Sequence, residues 1–204
     1  MIWTLLAWML GAYLVAGIPV GLLIGLARGV DLREIGSGNI GATNAVRALG
    51  KPLGLLVFAL DVAKAAVPVA LAERFMQLDP MFDRPSAVAL VGLAAIVGHV
   101  FPVYLRFSGG KGVACAFGVF LVLAPQAAFV GLLVYLLALW LTRISAVGSL
   151  LAASVIVAVA WSDPRVPFAY AVLAAGLTGL IWERHRDNLE RIFAAARDSR
   201  ERER

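Results

Sequence analysis

The sequence predicts an all-α polytopic membrane protein, a bundle of about seven transmembrane helices with its N-terminus outside and its C-terminus in the cytoplasm. Three observations predict it. Of 204 residues, 61% are hydrophobic and mean hydropathy is +0.88, whereas a soluble domain is about half apolar. Several apolar runs approach or exceed the ~20 helical residues that cross a ~30 Å hydrocarbon core. Lysine and arginine collect on alternate connections. The runs are continuous, not alternating, so they suit helices and exclude a closed β-barrel, the other way to satisfy backbone polar groups in lipid.

The spans are expected at 3–26, 53–72, 86–104, 112–124, 126–142, 147–161 and 166–183. The first has no basic residue before its apolar run, so it is a retained helix and not a cleavable signal peptide. The second carries Asp61 and Lys64, whose i,i+3 spacing allows an internal ion pair that organises the bundle. The third ends on His99 and Pro102. The fourth is short and Pro125 stops it. Read as one segment, 113–142 is far too long for a single crossing. The sixth and seventh follow turns at 143–146 and 162–165, and residues 193–204 form a small, charged, frayed tail on a single domain spanning 1–204. No internal repeat is visible.

Seven crossings place loops 27–52, 105–111 and 143–146 and the tail on one side. That side holds Arg28, Arg33, Arg47, Lys51, Arg106, Lys111, Arg143 and every arginine from Arg184 to Arg204, against Arg74, Arg84 and Arg165 opposite. Such an excess marks the cytoplasm. It also accounts for the net charge of +5 without nucleic acid. Cys115 is alone, so it forms no disulfide within the chain and no thiolate cage; it reads as a small core residue.

Three polar motifs fall on this side. The first, Ser37 to Arg47, contains Gly36-x-Gly38-x-x-Gly41. A dinucleotide fingerprint needs a preceding strand, and a transmembrane helix precedes here. The glycines instead let main-chain N–H groups approach an anion. Ser37, Asn39, Thr43 and Asn44 add neutral donors, and Arg47 adds a fork suited to phosphate. The plainer alternative is a polar interhelical loop. The second, Ser108-Gly109-Gly110-Lys111-Gly112, is not a Walker A loop, because Gly112 replaces the magnesium-binding Ser/Thr. It places a lysine in a glycine-rich turn opening a helix, where an anion is favoured, although a lysine there also anchors a helix end. His99 fits a structural hydrogen bonder slightly better than a catalyst, and no His-x-x-x-x-Asp motif follows, since position 104 is Tyr. The third motif spaces His185, Asn188 and Arg191 by three, which on a continuing helix shares a face; a solvated Arg/Glu tail is the alternative. Arg143, Ser145 and Ser149 lie where they can join these groups. A transporter lacks support from mid-depth polar residues or related halves, and a lipid-binding scaffold leaves the first two motifs unexplained.

At these motifs, which occur in order and cover nearly the whole chain, the sequence resembles the acyl-phosphate:glycerol-3-phosphate acyltransferase family, the PlsY-type membrane enzymes of bacteria. The joint occurrence is highly specific; Tyr104 stands where the family often has phenylalanine. The resemblance implies transfer of a fatty acyl group from acyl phosphate to the 1-hydroxyl of glycerol 3-phosphate. The products are 1-acyl-glycerol 3-phosphate and inorganic phosphate, the first step of phospholipid synthesis. It implies a multi-pass protein of the bacterial inner membrane. The motifs themselves point to a cytoplasmic active site and call for no cofactor, no metal and no nucleic-acid partner; the oligomeric state is not given by the sequence, and a monomer is the expectation. Ser37, Lys111, His185 and Asn188 are expected at the reaction centre. Gly38, Asn39, Gly41, Thr43, Asn44, Arg47, His99, Gly109, Gly110, Gly112, Arg143, Ser149, Arg184 and Arg191 are expected to bind substrate. The attacking hydroxyl's proton passes to His185 or to a substrate phosphate oxygen, and the fatty chain lies between helices.

Overall fold

The computed structural model describes residues 2–77 and 83–202. Among the described residues the chain is all-α: α1 (Ile2–Gly17), α2 (Val20–Ala27), α3 (Ala42–Leu49), α4 (Lys51–Phe75), α5 (Arg84–Val100), α6 (Val113–Leu123), α7 (Pro125–Thr142), α8 (Ser145–Ser162), α9 (Phe168–Arg184) and α10 (Arg186–Arg202), with a 3₁₀ turn at Val103–Leu105.

Among the described residues five segments are long and apolar enough to cross a membrane: Ile2–Ala27, Lys51–Phe75, Arg84–Leu105, Pro125–Thr142 and Ser145–Ser162. The first is interrupted at Pro19, which lacks an N–H and separates α1 from α2. The two remaining expected spans are shorter. Helix α9 has 17 residues, about 26 Å at helical rise, and α6 has 11, about 16 Å. By itself α6 covers about half of a hydrocarbon core. It stops at Ala124, and Pro125 opens α7 at its first turn, where a missing N–H costs nothing. Residues 193–202, expected as a frayed tail, belong to α10, and 203–204 lie outside the described residues.

The helices meet through small side chains. Ala65, Val69 and Ala72 of α4, Val88, Val91 and Ala95 of α5, and Ala171, Ala174 and Leu177 of α9 are buried in one core. Gly118 shows why: a Cβ there would come within van der Waals distance of the Val62 backbone, so only glycine lets α6 lie against α4. The large apolar residues point the other way. Leu133, Leu137 and Trp140 of α7 are at least half exposed, a pattern that hydrocarbon stabilises and water does not.

Beneath the polar end, Asp61 and Lys64 form a buried ion pair at 2.9 Å. Lys64 Nζ also donates to the Ile18 carbonyl at 2.7 Å, at the break between α1 and α2. The pair therefore ties α4 to the interrupted first span.

Candidate active site

The loop before α3 is shaped by its own side chains. Asn44 reaches back from α3: its Oδ1 accepts from the Ser37 N–H at 3.2 Å, and its Nδ2 donates to the Leu32 and Ile35 carbonyls, both at 2.9 Å. Asn44 lines the cavity described below, but both its amide hydrogens are spent on the loop and not held for a ligand. Asn39 Oδ1 accepts from the Gly41 N–H at 2.9 Å, an Asx turn leading into the helix. Gly41, Ala42 and Thr43 bring the open N-terminus of α3 to the cavity wall. No side chain caps that terminus; the Asn44 and Ala45 N–H groups bond to the Gly41 carbonyl, and the positive end of the helix dipole lies at the cavity wall. Arg47 lies one turn further along and lines the same wall.

The glycine turn is pinned to the end of α5. The Gly109 N–H donates to the Val100 carbonyl and the Gly110 N–H to the His99 carbonyl, each at 3.1 Å. Gly110 lies flat on the His99 ring, where a Cβ would overlap Nε2. Gly112 then takes a left-handed turn, with φ +85°, to start α6. The result is a fixed origin for Lys111, whose ammonium donates to Asn188 Oδ1 of α10. Arg184 adds a second tie: its Nη2 donates to the Gly109 carbonyl at 3.2 Å, and its guanidinium lies 5.8 Å from the centroid of the Phe101 ring. His99 itself is buried, with Nδ1 4.0 Å from Asp61 Oδ1 and no hydrogen-bond partner among the described residues.

The third motif is not one continuing helix. The chain breaks at His185, between α9 and α10, yet His185 and Asn188 still reach the same cavity. His185 Nδ1 sits 2.8 Å from the Ile181 carbonyl. A carbonyl only accepts, so Nδ1 carries the proton and Nε2 is left as the acceptor. Burial lowers the His185 pKa to about 4; the bond to Ile181 opposes this and the Lys111 charge adds to it. The ring is therefore neutral near pH 7. Burial also lowers the Lys111 pKa from its usual value, helped by the Arg191 charge, opposed by Asp187, and helped again by Arg184.

These groups line two adjoining cavities. The larger, about 950 Å³, has Arg33, Lys111, Arg184, Arg186 and Arg191 on its walls beside Glu183, Asp187 and Glu190, a net positive lining. The smaller, about 210 Å³, runs from the polar groups between α6, α7, α8 and α9, past Phe117, Phe120, Leu132 and Ile156. Ser37, Asn39, Lys111 and Asn188 line both. Gly41, Thr43, Asn44, Arg47, His99, Gly112, Ser149 and His185 line the smaller, and Gly38, Gly109, Arg184 and Arg191 the larger. Two expected residues line neither. Gly110 supports the turn from behind, and Arg143 sits exposed at the end of α7 in a left-handed conformation, φ +59°. Tyr135 and Asp61, not expected as site residues, line the smaller cavity. Nothing in an apolar run distinguishes Tyr135 from a lipid-facing aromatic. The i,i+3 spacing of Asp61 and Lys64 points to an ion pair and carries no sign of the cavity.

Asp61, His99 and Cys115 place possible metal-ligand atoms within 4.8 Å of one another. The Asp61 carboxylate is already balanced by Lys64, and Cys115 Sγ donates to the Asp61 carbonyl at 3.1 Å.

Comparison with known proteins gives a consistent picture. The family profile described as glycerol-3-phosphate acyltransferase matches residues 6–195. A glycerol-3-phosphate acyltransferase of Anaeromyxobacter sp. (strain K) is 50% identical over 183 residues, covering 88% of this chain and 89% of that protein. One from Myxococcus xanthus (strain DK1622) is 46% identical over 181 residues, covering 88% and 91%. The crystal structure of PlsY (YgiH), an integral membrane glycerol 3-phosphate acyltransferase, in its glycerol 3-phosphate form superposes with a TM-score of 0.86 at 36% identity, over 94% of this chain and 92% of that one. Its lysophosphatidic acid form gives 0.84 at 35% identity, with the same coverage.

Proposed function

The chain belongs to the glycerol-3-phosphate acyltransferase family, and from that premise we propose how its cavities carry out the reaction. The protein is a membrane-bound acyl-phosphate:glycerol-3-phosphate acyltransferase, catalysing the first step of phospholipid synthesis. A cationic cavity joined to an apolar one through Ser37, Asn39, Lys111 and Asn188 is the observation that carries this reading. One substrate is a small phosphate ester, and the other joins a phosphate to a fatty chain. The shared wall is where the two meet.

In this scheme the glycerol 3-phosphate headgroup occupies the larger cavity, held by Arg184, Arg191 and Lys111. The acyl phosphate lies in the smaller one, its phosphate at the α3 N-terminus with Arg47, and its chain between α6, α7 and α8. Charge-assisted contacts from fixed donors stabilise the phosphate charge as the leaving group separates. The glycerol 1-oxygen attacks the acyl carbon directly, the anhydride C–O bond breaks, and inorganic phosphate leaves. A neutral His185 held near pKa 4 is a weaker base than a phosphate group, whose second pKa is about 6. The hydroxyl proton therefore passes to a substrate phosphate oxygen. His185 Nε2 orients that hydroxyl, and Asn188 fixes the Lys111 ammonium.

The membrane arrangement follows from the same groups. We propose seven crossings, an external N-terminus, and an active site on the cytoplasmic face of the bacterial inner membrane, with the monomer as the working unit. Helix α6 starts beside Lys111 and α7 returns the chain to Ser145, which lines the same cavity. The sidedness is therefore the same whether or not the short α6 reaches the far surface. The arginine-rich side matches the cytoplasm.

Purified protein in detergent, given palmitoyl phosphate and glycerol 3-phosphate, should release inorganic phosphate and form lysophosphatidate in equal amounts. Phosphate release without the lysolipid would refute the assignment.

A further inference from the structure

One wall of the smaller cavity carries a feature the scheme above does not use. Ser145 Oγ lies 3.0 Å from Thr43 Oγ1 and 3.0 Å from Tyr135 Oη. The three hydroxyls connect α3, α7 and α8, and all three line the cavity. They own three protons between them, and two are consumed in the two links. No other hydrogen-bond partner engages Thr43 or Tyr135 among the described residues, so one proton stays available: on Tyr135, on Thr43, or on Ser145 when both neighbours donate to it.

We propose that this proton is on Tyr135, and that the phenol donates it as a hydrogen bond to the acyl carbonyl oxygen while negative charge develops there. The proposal rests on the acyl-transfer reading above. Three observations carry it. First, the phenol is fixed: a Cβ at Gly148 would come within 3.0 Å of Tyr135 Cδ2 and of its backbone oxygen, so glycine there lets the ring lie against α8, close to Ser145. Second, a phenolic O–H is a stronger hydrogen-bond donor than an aliphatic hydroxyl, because the ring withdraws charge from its oxygen. A string that runs Thr43 to Ser145 to Tyr135 polarises each successive O–H. Third, the string is neutral and stands at a border. Tyr135 shares its helix and its cavity with Gly131 and Leu132, while Thr43 sits at the cationic α3 terminus. Cations serve the phosphates and apolar walls serve the chain. The group that joins phosphate to chain is the carbonyl, and a neutral donor suits it.

The step balances as follows. The glycerol oxygen bonds to the carbonyl carbon, and the C=O electron pair moves onto the carbonyl oxygen under the Tyr135 O–H. The pair returns as the C–O bond to phosphate breaks, and the glycerol proton ends on a phosphate oxygen. Tyr135 keeps its own proton throughout. Its hydrogen bond strengthens only as charge appears, so it acts on turnover more than on binding.

The test compares steady-state kinetics of wild type, Tyr135→Phe, Ser145→Ala and Ser145→Thr in detergent with palmitoyl phosphate and glycerol 3-phosphate. Loss of one such donor should lower kcat about 100-fold in Tyr135→Phe, with both KM values within about twofold and Tm unchanged. Ser145→Ala should lower kcat by less and add little in the Tyr135→Phe background, whereas Ser145→Thr, which keeps the hydroxyl, should recover activity. A merely structural string would move Tm or KM and leave kcat in place. Wild-type kcat in Tyr135→Phe, beside an active wild type, overturns the proposal alone. If Tyr135→Phe does not fold, wild-type kcat in Ser145→Ala overturns it. A wild type that forms no lysophosphatidate overturns the acyl-transfer reading, and this proposal with it.

Discussion

Gly110→Ala tests how Lys111 is positioned. A Cβ at residue 110 would overlap His99 Nε2 and come within 2.7 Å of Cε1 and 3.1 Å of Cδ2. Relaxed carbon contacts begin near 3.5 Å, so ring and turn must separate by about an ångström. The ring cannot retreat easily. His99 is only 5% exposed, and Asp61 stands 4.0 Å behind its Nδ1. The turn moves instead, stretching the 3.1 Å bond from the Gly110 N–H to the His99 carbonyl and carrying Lys111 with it. Overpacking of this kind costs about 1–3 kcal/mol of stability, and an ångström of misplacement at a reacting centre costs about 100-fold in rate. Phosphate release kinetics and thermal unfolding of the purified variant should show both losses. Removing the ring relieves the clash, so Gly110→Ala should cost less in a His99→Ala background, with a coupling of about 0.5–3 kcal/mol. Wild-type kcat/KM and Tm in the single variant, or strict additivity in the double, would refute the reasoning.

Further expectations concern the neighbouring groups. Lys111→Ala should lower kcat/KM about 100-fold, the cost of one lost charge-assisted contact, with a far-ultraviolet spectrum like wild type. Arg143→Ala should keep kcat/KM within about twofold, because Arg143 lines neither cavity; a larger loss would mean the loop between α7 and α8 turns inward in the working enzyme. His185 carries a depressed folded pKa, about 4 against 6.5. Between these values the unfolded chain binds a proton that the folded chain does not, so stability should fall as pH drops from about 6.5 towards 4. Unfolding measured across that window should show a smaller decline in His185→Gln, and an unchanged slope would remove this residue as the cause.

Five of the expected spans were legible because hydrocarbon rewards length and apolarity, both visible residue by residue; among the described residues those expected at 112–124 and 166–183 are helices of 11 and 17 residues. Pro125 was legible for the same reason that it works, since it cannot continue a ladder of N–H donors. Three details were not. Helix α3 is a short amphipathic helix inside a polar connection, and its hydrophobic pattern is too brief to stand out. The break at His185 coincides with its ring bonding back to the Ile181 carbonyl, which no local sequence preference announces. Arg143 was expected in the site as a cation at the end of the fifth span; it is exposed, has a left-handed backbone and lines neither cavity. Counting crossings and charges placed the three motifs on one side; that they line two adjoining cavities is a tertiary result. So is the division of labour within them: Asn44 holds the loop and Gly110 the turn, and tertiary contacts decide both.

The buried Asp61–Lys64 pair restricts how the sequence can drift. Removing one partner would leave an uncompensated charge buried in the protein, at about 3–5 kcal/mol, a large fraction of a typical protein's stability. The two codons are thus bound to each other: neutral change at either position must pass through both at once, or through a second cation or anion recruited nearby.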